Sequence, residues 1–160
     1  MEQIRVVVNG AKGRMGLETV KAVEAAEDMR LVATCDLGDD FVEAARSGNA
    51  DAIVDFTLPS AAMENARKIL STECAGVIGT TGFSSEDIAA LRAEAEGRNR
   101  GLLIAPNFAI GAVLMMRFAA EAAKFMPEVE IIELHHPGKA DAPSGTALKT
   151  AALIAEARVE

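Results

Sequence analysis

Hydrophobic residues along the chain recur in two alternating textures. Short β-branched runs, IRVVVNG, MRLVATCD, AIVDFT, AGVIGTT, GLLIAPN and EVEIIELHH, are apolar at consecutive positions. Each is followed by a longer, Ala-rich stretch whose apolar residues return every three or four places. The longer stretches are GRMGLETVKAVEAA, FVEAARSG, PSAAMENARKIL, SSEDIAALRAEAE, GAVLMMRFAAEAAKF and SGTALKTAALIAEA. The short runs do not alternate polar with apolar, which predicts strands covered on both sides. A strand handing over to a helix time after time predicts right-handed βαβ units, hence an α/β fold with a parallel sheet and helices on both its faces. Turn chemistry at Asp28 and Met29 and across 97–101 punctuates the series, and no long linker or low-complexity stretch interrupts it. Pro127 marks the expected boundary, with residues 1–127 as a five-stranded domain and 128–160 as the beginning of a second, α+β substrate domain.

A chain of 160 residues, 50% hydrophobic and 25% charged, is long enough to bury a core of its own. The net charge of -8 excludes a broad nucleic-acid footprint, because neutralising phosphates needs a basic face. Any anionic ligand therefore has to be held by local groups. The first apolar run is too short to span a bilayer and lacks the flanks of a signal peptide, so a soluble, cytoplasmic protein without membrane partners is expected. Cys35 and Cys74 have neither CxxC nor zinc-ligand spacing; two buried thiols are expected, with no disulfide and no metal.

Strand one runs into GAKGRMG, with glycines at 10, 13 and 16 opening the first helix. The spacing G-x-x-G-x-x-G differs from the common dinucleotide fingerprint, and the missing G-K-[ST] ending excludes a P-loop. Its place between strand and helix is what matters: glycines there let the backbone approach a pyrophosphate, and the new helix directs N–H groups at the anion. Lys12 and Arg14 can add charge. Asp36 closes strand two about 20 residues later, where an acid binds the ribose hydroxyls of a dinucleotide. Turn and acid together predict a dinucleotide site on a Rossmann-type sheet. Leu37, Gly38, Asp39 and Asp40 follow that acid without an Arg for a 2′-phosphate, which favours NAD. Thr57, Thr80, Thr81 and Asn107 fall at the carboxyl ends of successive strands, placed to line the nicotinamide half.

The stretch ELHHPGKADAPSGTAL, residues 133–148, brings together two histidines, a turn at Pro137 and Gly138, the cation of Lys139 and a helix start at Ser144, Gly145 and Thr146. The unpaired N–H groups and dipole of that helix would hold a carboxylate. A substrate carrying carboxylates, reduced by a hydride and then protonated, needs these parts, with histidine or lysine as the acid.

GAKGRMG, VDFTLP, VIGTTGF, IAPNFAIGAVL and ELHHPGKADAPSGTAL, in this order and at these separations, closely resemble the dihydrodipicolinate reductase family of lysine and diaminopimelate synthesis, over nearly the whole chain. The resemblance implies an NAD(P)H-dependent reductase of a cyclic dicarboxylate, 4-hydroxy-tetrahydrodipicolinate; the acids that follow Asp36 add the expectation that NADH is favoured or equal. It implies that the cofactor is bound by Gly10, Ala11, Lys12, Gly13, Arg14, Met15, Asp36, Phe56, Thr57, Gly79, Thr80, Thr81, Ala105, Pro106, Asn107 and Phe108. It implies His135 and Lys139 as proton donors, and His136, Ser144, Gly145 and Thr146 as binders of the substrate. Family members run on beyond Glu160 with further strands, so the homotetramer is an expectation for full-length members rather than for a chain ending there. Two other readings share parts of the pattern: a dinucleotide-binding module that no longer catalyses, and another amino-acid-pathway dehydrogenase, which would leave HHPGK followed by PSGT unexplained. A short-chain dehydrogenase would use a Tyr-x-x-x-Lys pair, and the chain has no tyrosine.

Overall fold

The computed structural model describes residues 3–126, 128–135 and 142–158, which fall into two compact units, Met1–Ala105 and Pro106–Glu160. The first unit alternates β1 (Ile4–Asn9), α1 (Arg14–Ala25), β2 (Met29–Cys35), α2 (Phe41–Ser47), β3 (Ala52–Asp55), α3 (Pro59–Leu70), β4 (Ala75–Ile78), α4 (Ser85–Arg98) and β5 (Leu102–Ile104). All neighbouring strands are parallel, in the order β2-β1-β3-β4-β5. The order reverses between β1 and β3, and such a switch point opens a crevice at the carboxyl ends of the strands. The register aligns those ends: Cys35 lies beside Asn9, Asn9 beside Asp55, Asp55 beside Ile78, and Ile78 beside Ile104.

Successive side chains of β1 serve two separate cores, which is why its apolar run does not alternate with polar residues. Val7 packs with Ile53, Ile78, Phe41, Ala66, Ile69, Leu70 and Leu91, so α2, α3 and α4 cover that face. Val6 and Val8 pack with Ala11 and Val23 on the side of α1. Burying each such branched side chain stabilises the fold by about 1.5–3 kcal/mol, and a one-residue slip of β1 would exchange the two sets. The helix starts are also written locally. Asp40 accepts from the N–H groups of Val42 and Glu43 to cap α2, and Ser84 with Asp87 forms a capping box on α4.

In the second unit α5 (Ile110–Ala123) packs against α6 (Gly145–Ala157). This pairing places α5 with the second unit, whereas the sequence reading grouped it with the first and drew the boundary at Pro127, which lies outside the described residues. The strand expected from EVEIIELHH does not form: residues 128–135 carry no ladder among the described residues. Its apolar pattern suits a strand, yet a strand exists only through a hydrogen-bonded neighbour. No helix among the described residues is long and apolar enough to cross a membrane.

Candidate functional site

The crevice of the first unit is shaped by contacts that only glycine permits. Gly10 has φ +79°, and a Cβ there would lie 2.4 Å from the carbonyl oxygen of Phe56. At Gly16 a Cβ would lie 2.0 Å from the carbonyl oxygen of Gly10, so the missing methyl lets α1 sit directly against the turn. The N–H groups of Gly10 and Ala11 donate to the carbonyl of Cys35 (2.9 and 3.0 Å), and that of Gly13 donates to the carbonyl of Gly10 (3.1 Å). Gly13 is then the N-cap of α1, and no side chain caps it. The opening N–H groups of the helix have no intrahelical acceptor, so turn and dipole together suit a pyrophosphate. Lys12, Arg14 and Met15 are exposed around this opening.

Asp36, just past the end of β2, is tied into the same turn. Its Oδ2 accepts from the Lys12 N–H and its Oδ1 from the Leu37 N–H, both at 2.8 Å. The N–H groups of Leu37 and Lys12 hold its carboxyl below the usual carboxylate range. The Asp36 N–H donates in turn to Asp39 (2.9 Å), and Asp40 is committed to capping α2. Three carboxylates are thus fixed in the loop where an adenosine ribose would lie. Burial pushes the neighbouring Cys35 thiol up, with Asp39 and Asp40 adding to the shift, which suits an inert thiol.

Behind the crevice lies a polar knot. Asp55, the last residue of β3, is 0% exposed. Its Oδ2 accepts from the side-chain amides of Asn9 (2.8 Å) and Asn65 (2.9 Å). Its Oδ1 accepts from the hydroxyls of Thr57 (2.8 Å) and Thr80 (2.9 Å) and from the Thr57 N–H (3.2 Å). The Thr80 hydroxyl also accepts from the Thr57 N–H, and the Thr57 hydroxyl accepts from Asn65. Both threonines therefore spend their hydroxyl protons inward and have none for a ligand. Gly79 lies under the Phe56 ring, where a Cβ would come within 2.0 Å of a ring carbon. Thr81 and Ala105 are half-buried.

The remaining candidate residues belong to the second unit. Pro106 is half-buried and Phe108 is exposed. Asn107 donates from Nδ2 to the Thr146 hydroxyl (3.0 Å) and accepts the Ala109 N–H (2.8 Å), so it links the starts of α5 and α6. Ser144 is buried and caps α6 through the Ala147 N–H (3.1 Å), leaving the N–H groups of Gly145 and Thr146 in the first turn. The Ser144 N–H donates to both oxygens of Glu133 (2.9 and 3.1 Å), whose Oε1 is 4.0 Å from His135 Nδ1. Ile131, Glu133, Pro143, Ala147 and Leu148 help to line a cavity of about 430 Å³ beside that helix start. His136 and Lys139 lie outside the described residues.

The model of the dihydrodipicolinate reductase N-terminus matches residues 4–108, and that of the C-terminus matches residues 111–160. The chain belongs to the dihydrodipicolinate reductase family. A 4-hydroxy-tetrahydrodipicolinate reductase from Cutibacterium acnes is 54% identical over 158 residues, covering 98% of this chain and 63% of the relative. One from Streptomyces coelicolor is 52% identical over 159 residues, covering 99% and 63%. The chain thus spans less than two thirds of the length of these relatives. A solved structure described as dipicolinate-bound dihydrodipicolinate reductase from Paenisporosarcina sp. TG-14 is 40% identical, with a TM-score of 0.79 over 98% of this chain and 67% of that one.

For this member of the reductase family, sequence reasoning passed over Asn9, Asp55, Asn65 and Glu133. A signal existed for the first two: a polar residue closing an apolar strand, as in VVVN and AIVD, must find partners when buried. Asn65 stands on the apolar face of α3 among Ala62, Ala66 and Ile69, all buried. Glu133 meets its partner 11 residues further on, a pairing that no local pattern encodes.

Proposed function

We propose that the chain carries the dinucleotide site and the proton-donating motif of an NAD(P)H-dependent 4-hydroxy-tetrahydrodipicolinate reductase, a cytoplasmic enzyme of lysine and diaminopimelate synthesis. The observation that carries this reading is the match, over 98% of the chain, to a reductase whose solved structure is described as dipicolinate-bound. The uncapped opening of α1, the glycine turn and the fixed carboxylate of Asp36 fit a dinucleotide. When bound, the cofactor supplies a hydride. Gly10, Ala11, Lys12, Gly13, Arg14 and Met15 hold the pyrophosphate, and Asp36 accepts from the ribose hydroxyls. Phe56, Gly79, Thr81 and Ala105 shape the nicotinamide side, while Thr57 and Thr80 act there through the knot behind it; Pro106, Asn107 and Phe108 are assigned to the cofactor from the IAPNF motif alone. The first-turn N–H groups of Gly145 and Thr146, with Ser144 and His136, hold a carboxylate of the cyclic substrate. His135 and Lys139 are the groups that deliver the proton completing the reduction.

Lys139→Ala tests the assignment, because the proposal counts the lysine among the proton donors to the substrate and not among the cofactor contacts. In the whole protein the rate of NADH oxidation with 4-hydroxy-tetrahydrodipicolinate should fall about a hundredfold, with NADH affinity by calorimetry unchanged. Lost NADH affinity would move the lysine to the cofactor, and an unchanged rate would remove it from the chemistry.

A further inference from the structure

A carboxylate taken out of water costs more to bury than an apolar side chain of its size, so the fully buried Asp55 calls for an explanation. Its bonding partners are not scattered through the core. Asn9 precedes Gly10, Asp55 and Thr57 flank Phe56, and Thr80 follows Gly79. Gly10, Phe56 and Gly79 are the three residues whose close approaches form the floor of the crevice: Phe56 lays its carbonyl on Gly10 and its ring on Gly79. Asn65 anchors the group to α3. The carboxylate therefore clamps a chain neighbour of every contact that shapes the floor. An acceptor with lone pairs on both oxygens is the group that five donors can share, and an amide offers only one such oxygen.

We propose that Asp55 is a positioning residue for the dinucleotide site, fixing the ends of β1, β3 and β4 so that the glycine turn is held in its binding shape before any ligand arrives. This rests on the reading that the crevice takes a dinucleotide. Asp55 touches no ligand itself, and acts through Gly10 and Phe56.

Asp55→Asn, compared with Ile69→Val, tests the idea; Ile69 is a fully buried core residue of α3 with no part in the knot. In Asp55→Asn the Kd for NADH by calorimetry should rise about tenfold, and in Ile69→Val it should stay within about twofold of wild type. In the ligand-free chain, amide exchange across residues 9–16 should accelerate in Asp55→Asn while α4 exchanges as before. NADH affinity within about twofold of wild type in Asp55→Asn, or exchange accelerated equally across α4, overturns the proposal. If Asp55→Asn does not fold, Thr80→Val removes one donor with little change of shape, and should weaken NADH about threefold with the same local gain in exchange. Unchanged affinity and exchange there overturn it equally. A wild-type chain that binds neither NADH nor NADPH sinks the dinucleotide reading instead, while exchange in the ligand-free chain still decides whether Asp55 holds the turn.

Discussion

The carboxylate of Asp36 accepts from the N–H groups of Leu37 and Lys12, which orient it in the loop and lower its pKa from the ordinary carboxylate value. Asp39 and Asp40 are anchored beside it, on the Asp36 N–H and at the cap of α2. A 2′-phosphate approaching this loop meets three fixed negative charges, whereas a 2′-hydroxyl meets an acceptor with a lone pair to spare. NADH should therefore bind at least as tightly as NADPH. Because the folded-state pKa of Asp36 is lowered, its charge is complete above the usual carboxylate range and is lost only as pH falls below it. Asp36 should accordingly contribute no change in the preference across neutral pH. Calorimetric titration of both cofactors decides this, and a tenfold or greater preference for NADPH would contradict the assignment of the loop.

The junction of β1 and α1 depends on one absent methyl group. Gly16→Ala would set a Cβ against the Gly10 carbonyl and the Ala11 Cα, backbone atoms that cannot move aside without opening the turn. Stability should fall by about 1–3 kcal/mol, with weaker NADH binding. Gly97→Ala is the opposite case, a helical glycine of α4 facing open space, and should raise stability by about 0.5–1 kcal/mol. Thermal melts of the two variants compare them directly, and a Gly16→Ala chain as stable as wild type would refute the packing argument. The elements of the first unit were legible in the sequence because each strand core is a short β-branched run and each helix carries its own cap or turn chemistry. GAKGRMG and Asp36 were legible for the same reason, their contacts being set by a strand end and the turn beside it. Residues 128–135 misled because a strand is completed by a partner that its own residues do not name. The knot on Asp55 was missed because its members, Asn9, Thr57, Asn65 and Thr80, are joined only by the parallel pairing of strands distant in sequence. The roles of Thr57 and Thr80 illustrate the cost: strand-end position suggested that they face a ligand, and the buried acid between them draws both hydroxyls inward.

Across the whole chain the two units differ in how much apolar surface they hide. Ile53, Ile69 and Ile78 in the first unit are 0% exposed, whereas Phe125, Ile132 and Leu134 in the second are 82%, 81% and 90% exposed. Hydrophobic burial is the main stabilising term, so opening of the second unit should cost much less than opening of the sheet. In native-state exchange the amides of β1 and β3 should outlast those of α6 by at least about tenfold; equal protection would show that the chain opens as one cooperative body. The uncapped amino terminus of α1 also makes the solution around the protein part of its behaviour. No side chain caps that opening, and inorganic phosphate carries the same chemical group as the bridge of a dinucleotide, so on the proposed reading of the turn it should compete for the same N–H groups. Apparent cofactor affinity should therefore depend on the choice of buffer, with phosphate or sulfate at high concentration weakening it, and equal calorimetric affinities with and without phosphate would contradict the assignment of the turn.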